Sequence, residues 1–343
     1  MSHLDRESIA AFVAGSLPRD AVARVMAHME ACNPCRIAVS DAAFDAMETK
    51  GGDDDESIKV PEPLEAGAIV NGRYRVEGVL GRGAMGTVYS AHTAEGYQVA
   101  VKVMAHTSSS SVARFLREAA TCARLTSEHV ARVYESGRLP SGAPYLVMER
   151  LVGHDLGALM KHGALPIGHA ALYAVHACRG LAEAHAIGVV HRDVKPENLF
   201  VTTRADGSPL VKVLDFGVSK IVSANLDGES SLTATQALLG TPSYMAPEQL
   251  VAAKNVDARA DVWSIGVVVY QMIGGRLPFG GGNVLALMHQ TSTTTPPALS
   301  SLRAGVPEAI ERCVGHCLEA EPLRRYARIL DVADALAPFA AAR

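Results

Sequence analysis

Five short strings in this chain carry side chains suited to holding and moving a phosphoryl group. Gly81, Gly83 and Gly86 stand in GRGAMGTV, a G-x-G-x-x-G-x-V pattern in which bare backbone can approach phosphate oxygens where side chains would clash. Lys102 follows in AVK, a cation suited to an anionic phosphate chain. Further on come HRDVKPEN at 191–198, DFG at 215–217 and APE at 246–248. Phosphoryl transfer asks a protein mainly to hold a triphosphate in line with a hydroxyl and to compensate its charge. Asp193 offers a carboxylate, Lys195 a second cation, and Asn198 with Asp215 the oxygen donors that a hard, partly hydrated cation prefers. A carboxylate of ordinary pKa, near ~4, is a weak base, which suffices where the transition state is loose and positioning matters most. One such string alone is weak; five in this order are not.

The surrounding pattern predicts the elements that must position them. YRVEGVL before the glycine string reads as a strand, and TVYSAHT with YQVAVKVM, on either side of Ala94, Glu95 and Gly96, reads as a hairpin. A helix is expected over 112–125, carrying Glu118, and YLVMER from Tyr145 reads as a further strand. After Leu151 the periodicity turns helical, with amphipathic runs at 168–187, 261–274 and 307–318.

This ordered set resembles the protein-kinase family, in particular the eukaryotic-like Ser/Thr kinases of bacteria. The resemblance implies an α+β, bilobal fold over 71–340, with an antiparallel β N-lobe and a helical C-lobe, ATP and Mg²⁺ as cofactors, and Ser/Thr-bearing proteins as substrates. Carried onto this sequence, it implies that Lys102 holds the α- and β-phosphates and pairs with Glu118. Asp193 would orient the substrate hydroxyl and accept its proton, and Lys195 would stabilise the transferring group, a lysine typical of the Ser/Thr branch. Asn198 and Asp215 would ligate Mg²⁺. Leu80, Val88 and Ala100 would flank the nucleotide, with Met148 at the gatekeeper position and Glu149 and Leu151 offering backbone groups to adenine. The resemblance also implies a buried Glu248–Arg325 ion pair and structural roles for Asp261 and Trp263. Arg192, beside Asp193, implies a loop switched by phosphorylation, with Thr233 and Thr235 as the phosphosites and Thr241 as a structural contact to the catalytic aspartate. A second class of reading is a catalytically weak scaffold that works through a partner-binding N-terminal region.

That region carries H-x₃-C-x₂-C, made of His28, Cys32 and Cys35, and the helical pattern at 20–29 places His28 and Cys32 on one helix face. Imidazole and thiolate at such spacings suit tetrahedral zinc. Residues 1–47 resemble the zinc-binding anti-sigma domain, a small all-α unit whose fourth ligand lies upstream, where His3 sits; the resemblance implies a signalling partner of sigma-factor type. A plain helical hairpin with reduced or redox-sensing cysteines remains the alternative. Residues 48–70 mix glycine and proline with the acidic run Asp53, Asp54, Asp55 and Glu56, which predicts a flexible linker and therefore a detachable appendage.

Composition bounds the rest. A length of 343 residues allows about two domains, and a net charge of −4 argues against a nucleic-acid footprint. Asp5, Arg6 and Glu7 precede any apolar run, and the most apolar stretches are too short or interrupted by Arg179 and Glu183, so neither a secretory signal nor a transmembrane segment is expected. A cytoplasmic protein is the expectation, with cysteines as thiols or metal ligands. Cys313, His316 and Cys317, at helical spacing, read as one packed helix face, as do Cys122 and Cys178.

Overall fold

The computed structural model of the chain describes residues 3–14, 16–48, 63–83, 86–104, 109–216, 242–251, 256–280 and 283–341. They form two compact units, the first holding residues up to 126 and 131–151, the second 127–130 and the described residues from 152 onward. Thr233, Thr235, Thr241 and Gly217 lie outside the described residues.

The first unit is built on an antiparallel sheet of β1 (Ile69–Val70), β2 (Tyr74–Gly83), β3 (Gly86–His92), β4 (Gln98–Met104), β5 (Val133–Arg138) and β6 (Pro144–Glu149), in the order β1-β2-β3-β4-β6-β5. The β3–β4 hairpin turns where the sequence predicts it, with Gly96 at φ +84° and the Thr93 N–H donating to the Tyr97 carbonyl. In β4 every residue after Gln98 is buried, which its β-branched valines favour.

Among the described residues four helices complete this unit: α1 (Arg6–Val13), α2 (Arg19–Ala31), α3 (Asn33–Glu48) and α4 (Ser109–Cys122). Asp5 caps α1 by accepting the Ser8 N–H at 2.7 Å. Phe12, Met26 and Met29 are fully buried, and they share one core with Tyr74, Tyr89, Val101 and Tyr145 of the sheet. The helices are therefore no detached appendage. Fewer than 50 residues bury too little apolar surface to close a core alone, so α1–α3 complete theirs on the sheet. Of the expected linker, residues 49–62 lie outside the described residues. The rest is ordered: the Leu64 N–H donates to the Tyr89 hydroxyl at 3.1 Å, and β1 pairs with β2.

At the centre of this shared core Arg73 forms a buried ion pair with Glu135. The same carboxylate accepts from Tyr74 Oη at 3.1 Å, Tyr145 Oη at 2.8 Å and Asn71 Nδ2 at 2.8 Å. The Arg73 guanidinium lies 4.0 Å from the centre of the Phe12 ring, which ties α1 to the sheet by a cation–π contact. Burial, with the Glu135 charge adding to it, pushes both tyrosine hydroxyls above their ordinary pKa.

The second unit has a small antiparallel sheet, β7 (His154–Asp155), β8 (Leu199–Thr203) and β9 (Pro209–Val213). Its helices are α5 (Leu156–Met160), α6 (Ile167–Ala186), α7 (Pro247–Val251), α8 (Arg259–Gly274), α9 (Val284–Thr293), α10 (Leu299–Leu302), α11 (Glu308–Cys317) and α12 (Ile329–Leu336). Burial of α8 on nearly all sides makes it the axis of the unit, and it ends at Gly275 in the left-handed conformation. Cys313 and Cys317 are buried on α11 where it meets Gly266 of α8; a Cβ on Gly266 would come within 2.5 Å of the Cys317 Cβ, so these thiols are close-packed core. Among the described residues no helix is long and apolar enough to cross a membrane.

His129 and His176 stack at 4.5 Å between ring centres inside this unit. His176 Nδ1 accepts the Val211 N–H at 3.4 Å, a role that requires the neutral ring. Burial first, then the charges of His129, Arg204 and Arg179, hold His176 down to about 4, against an ordinary 6.5, while Glu128 opposes the shift; burial also lowers His129. Between those values the unfolded chain takes up a proton that the folded chain refuses. The stability from this neutral ring is thus complete above pH ~6.5 and is lost as pH falls toward 4. Denaturation midpoints measured from pH 7 to 4 should fall, and His176→Asn should flatten that slope; an unchanged slope would remove His176 as its cause.

Candidate active site

In the first unit the glycine string spans the β2–β3 turn. Gly81 faces Val88 and Gly83 faces Gly86 across the hairpin. Gly86 has φ +146°, and a Cβ there would stand 2.1 Å from the Val103 carbonyl oxygen, so the turn accepts no side chain at this position. Lys102 is held mid-sheet, in register with Val88 on one side and Leu146 on the other, and is 5% exposed. Ala100 pairs with Met148 across β4 and β6. Leu80 is half exposed on β2. The Glu149 N–H donates to the Arg132 carbonyl at 2.9 Å, and Leu151 follows two residues on. Glu118 lies on α4.

In the second unit the segment 191–198 is arranged around Asp193. Lys195 Nζ donates to Asp193 Oδ2 at 2.7 Å, and Asn198 Nδ2 donates to the same oxygen at 3.1 Å and to the Asp193 carbonyl at 2.7 Å. His191 Nε2 donates to the Leu214 carbonyl at 2.7 Å, so its Nδ1 is left to accept the Asp193 N–H at 3.2 Å. The Leu214 N–H donates in turn to the Asn198 carbonyl at 2.9 Å, which fastens the segment before Asp215 to the segment after Asp193. The Phe216 ring lies 4.8 Å from that of His191. Arg192 at φ +65° and Asp215 at φ +58° are left-handed, a conformation costly for side-chain-bearing residues and common at sites that position a group.

Asp261, fully buried in the first turn of α8, anchors this loop. Its carboxylate accepts the N–H of His191 and of Arg192, each at 2.9 Å, and His185 Nε2 at 2.7 Å. Gln249 Nε2 adds a bond to the Arg192 carbonyl at 2.9 Å. Arg325 meets Glu248 through two bonds of 2.7 and 2.8 Å, and its guanidinium lies 4.9 Å from the centre of a Trp263 ring. His185 and Gln249 are supports that the sequence did not single out, because neither stands in a recognisable string.

A separate cluster gathers at the N-terminal helices. Cys32 Sγ and Cys35 Sγ lie 3.3 and 3.4 Å from His3 Nδ1, and the ligand atoms of His3, His28, Cys32 and Cys35 all lie within 4.8 Å of one another. Zn–S and Zn–N bonds of ~2.3 and ~2.0 Å in a tetrahedron put ligand atoms roughly 3.3–3.8 Å apart, the spacing at which His3 Nδ1 already stands from the two sulfurs. His28 Nε2 is buried with no hydrogen-bond partner among the described residues, an orphan that a metal would satisfy. Among the described residues this is the one group of His, Cys, Asp and Glu so arranged.

Residues 74–334 match the family model described as protein kinase domain. The chain belongs to the protein kinase family. Similar sequences include serine/threonine-protein kinase Pkn1 of Myxococcus xanthus, 38% identical over 285 residues that cover 81% of this chain and 40% of that protein. Pkn3 of the same organism is 36% identical over 78% of this chain and 50% of its own length. PknL of Mycobacterium tuberculosis is 36% identical over 78% of this chain and 65% of its own. The chain thus spans about half the length of the curated relatives it matches. The kinase match begins at Tyr74, after α1–α3.

Removing the Asp261 carboxylate leaves two loop N–H groups and a histidine donor without their acceptor. Asp261→Ala should cost roughly 3–5 kcal/mol of stability, as breaking one side of a buried charged network does. Urea denaturation of the purified variant measures this, and a loss below about 1 kcal/mol would show that the loop does not depend on it.

Proposed function

We propose that the chain transfers the γ-phosphoryl group of ATP to serine and threonine hydroxyls of proteins. The observation that carries the reading is the convergence of Lys195 Nζ and Asn198 Nδ2 on one oxygen of Asp193, a carboxylate oriented by two donors rather than loosely solvated. In this reaction Asp193 aligns the attacking hydroxyl and takes its proton as the new O–P bond forms, while the bond from the γ-phosphorus to the bridging oxygen breaks and ADP leaves with the electron pair. Lys195, freed from Asp193, follows the moving charge. We assign Lys102 to the α- and β-phosphates, with Glu118 as the partner that the family resemblance implies, and Gly81, Gly83 and Gly86 to admitting them. Leu80, Val88, Ala100 and Met148 enclose the base, with Glu149 and Leu151 as its backbone partners. Bound Mg²⁺ would neutralise phosphate charge. Asn198 and Asp215 fit it: Asn198 spends its Nδ2 on Asp193, so the oxygen end of the amide is the one to face a cation.

Arg192, whose Nη2 donates to the Val256 carbonyl at 3.1 Å, is the group we assign to a phosphorylated Thr233 or Thr235. None of the six cysteines is in a disulfide, which suits a reducing cytoplasm. Under the alternative, a scaffold acting through a partner of α1–α3, the Asp193 carboxylate would be dispensable.

Lys102→Met and Asp193→Asn, folded by circular dichroism, should each lose about three decades of phosphotransfer to a protein substrate. Either variant working like the parent chain would end this reading in favour of the scaffold. Phosphatase treatment in the same assay should lower activity; indifference to it would remove the loop switch.

We also assign one Zn²⁺ to His3, His28, Cys32 and Cys35, supported by their separations and the orphaned His28 nitrogen. Elemental analysis of the full chain should give about one zinc per chain, and Cys32→Ser with Cys35→Ser should abolish it. Metal-free protein from a purification without chelator would leave a plain thiol cluster.

A further inference from the structure

Arg36, one residue beyond the Cys35 ligand candidate, is a guanidinium only 2% exposed. It reaches out of its own helix to the end of another: Nε donates to the Ala123 carbonyl at 3.1 Å and Nη2 to the Leu125 carbonyl at 2.5 Å. Both carbonyls lie just past the last turn of α4, where a helix leaves carbonyls without internal donors and the macrodipole is negative. The N–H groups of Ala123, Arg124 and Leu125 fold back to the Ala119, Thr121 and Cys122 carbonyls, which tightens this helix end. The fork is itself braced. Asn33 Oδ1 accepts from Nη2 at 2.6 Å, and the Leu4 N–H donates to Cys35 Sγ at 3.1 Å, which fixes the start of α3. A buried, permanently charged group so held has one geometry, and it dictates where α4 ends.

We infer that Arg36 is a positioning residue for the phosphotransfer site: through the Ala123 and Leu125 carbonyls it clamps α4, the helix that carries Glu118, so the N-terminal helices control how ATP is held. This rests on the phosphotransfer reading, in which Glu118 fixes Lys102 on the phosphates. Loosening the clamp should weaken the hold on ATP specifically. A merely structural loss would instead reduce the fraction of active enzyme, lowering kcat and leaving KM for ATP where it was.

The test uses the full chain with Arg36→Ala, Arg36→Lys and Asn33→Ala, read by hydrogen–deuterium exchange over 112–125 and by steady-state kinetics. Arg36→Ala should speed exchange in α4 and raise KM for ATP by about tenfold, in the usual range of coupling between sites, with KM for the protein substrate unchanged. Arg36→Lys keeps the charge but not the fork and should recover part of this. Asn33→Ala removes only the brace and should move both readouts the same way, which decides the matter should Arg36→Ala not fold. Unchanged α4 exchange, or a fall in kcat alone, would overturn the clamp. A parent chain without phosphotransfer would count against the kinase reading, and the exchange comparison would then decide the clamp by itself.

Discussion

The carboxylate of Asp261 is the constraint on which the second unit turns. A buried charge must be met by donors, and the donors it draws are the N–H groups of two consecutive loop residues and a histidine from the end of α6. This sets the path of the chain immediately before Asp193 and helps to hold Arg192 in its left-handed conformation. Everything at the site then follows by short steps: His191 bonds to Leu214, Leu214 to Asn198, and Asn198 to Asp193. The group around Asp193 is a closed hydrogen-bond circuit, since the Asp193 N–H returns to His191, and it is anchored on the deeply buried α8.

How much of this is legible in the sequence depends on how local the signal is. The glycine turn, the β3–β4 hairpin, the helix with Glu118 and the segment 191–198 all announce themselves within a few residues, because turn geometry and helix periodicity are themselves local. Strand β5 does not: Glu135 and Gly137 interrupt the alternation that would reveal it, since Glu135 is buried for an ion pair with Arg73, far upstream. Nor does β7, a two-residue strand, carry a pattern of its own. The support from His185 and Gln249 is equally silent, as their partners lie more than 50 residues away.

The largest departure concerns the N-terminal helices. An acidic, glycine-containing stretch reads as a linker, and a linker reads as independence, but composition says nothing about which faces the flanking elements leave uncovered. Arg36 and Arg73 would pass as solvated surface cations on sequence alone. In the fold both are buried, one on carbonyls at the end of α4 and the other between Phe12 and Glu135. Buried arginines without a nearby acidic partner in sequence are where a reader of periodicity alone goes astray, because burial of a cation is decided by tertiary partners.

The shared core also sets an order of events during synthesis. Residues of α1–α3 leave the ribosome before the sheet does, and the sheet that covers Phe12, Met26 and Met29 is not complete until Tyr145 and Val147 of β6 have been made. At a translation rate of about 5–20 residues per second, the roughly 100 residues in between take on the order of 5–20 s. Throughout that interval the nascent helices present an apolar face with nothing to close it. A chain interrupted before β6 therefore displays its own incompleteness to chaperones and proteases, while a finished one hides it.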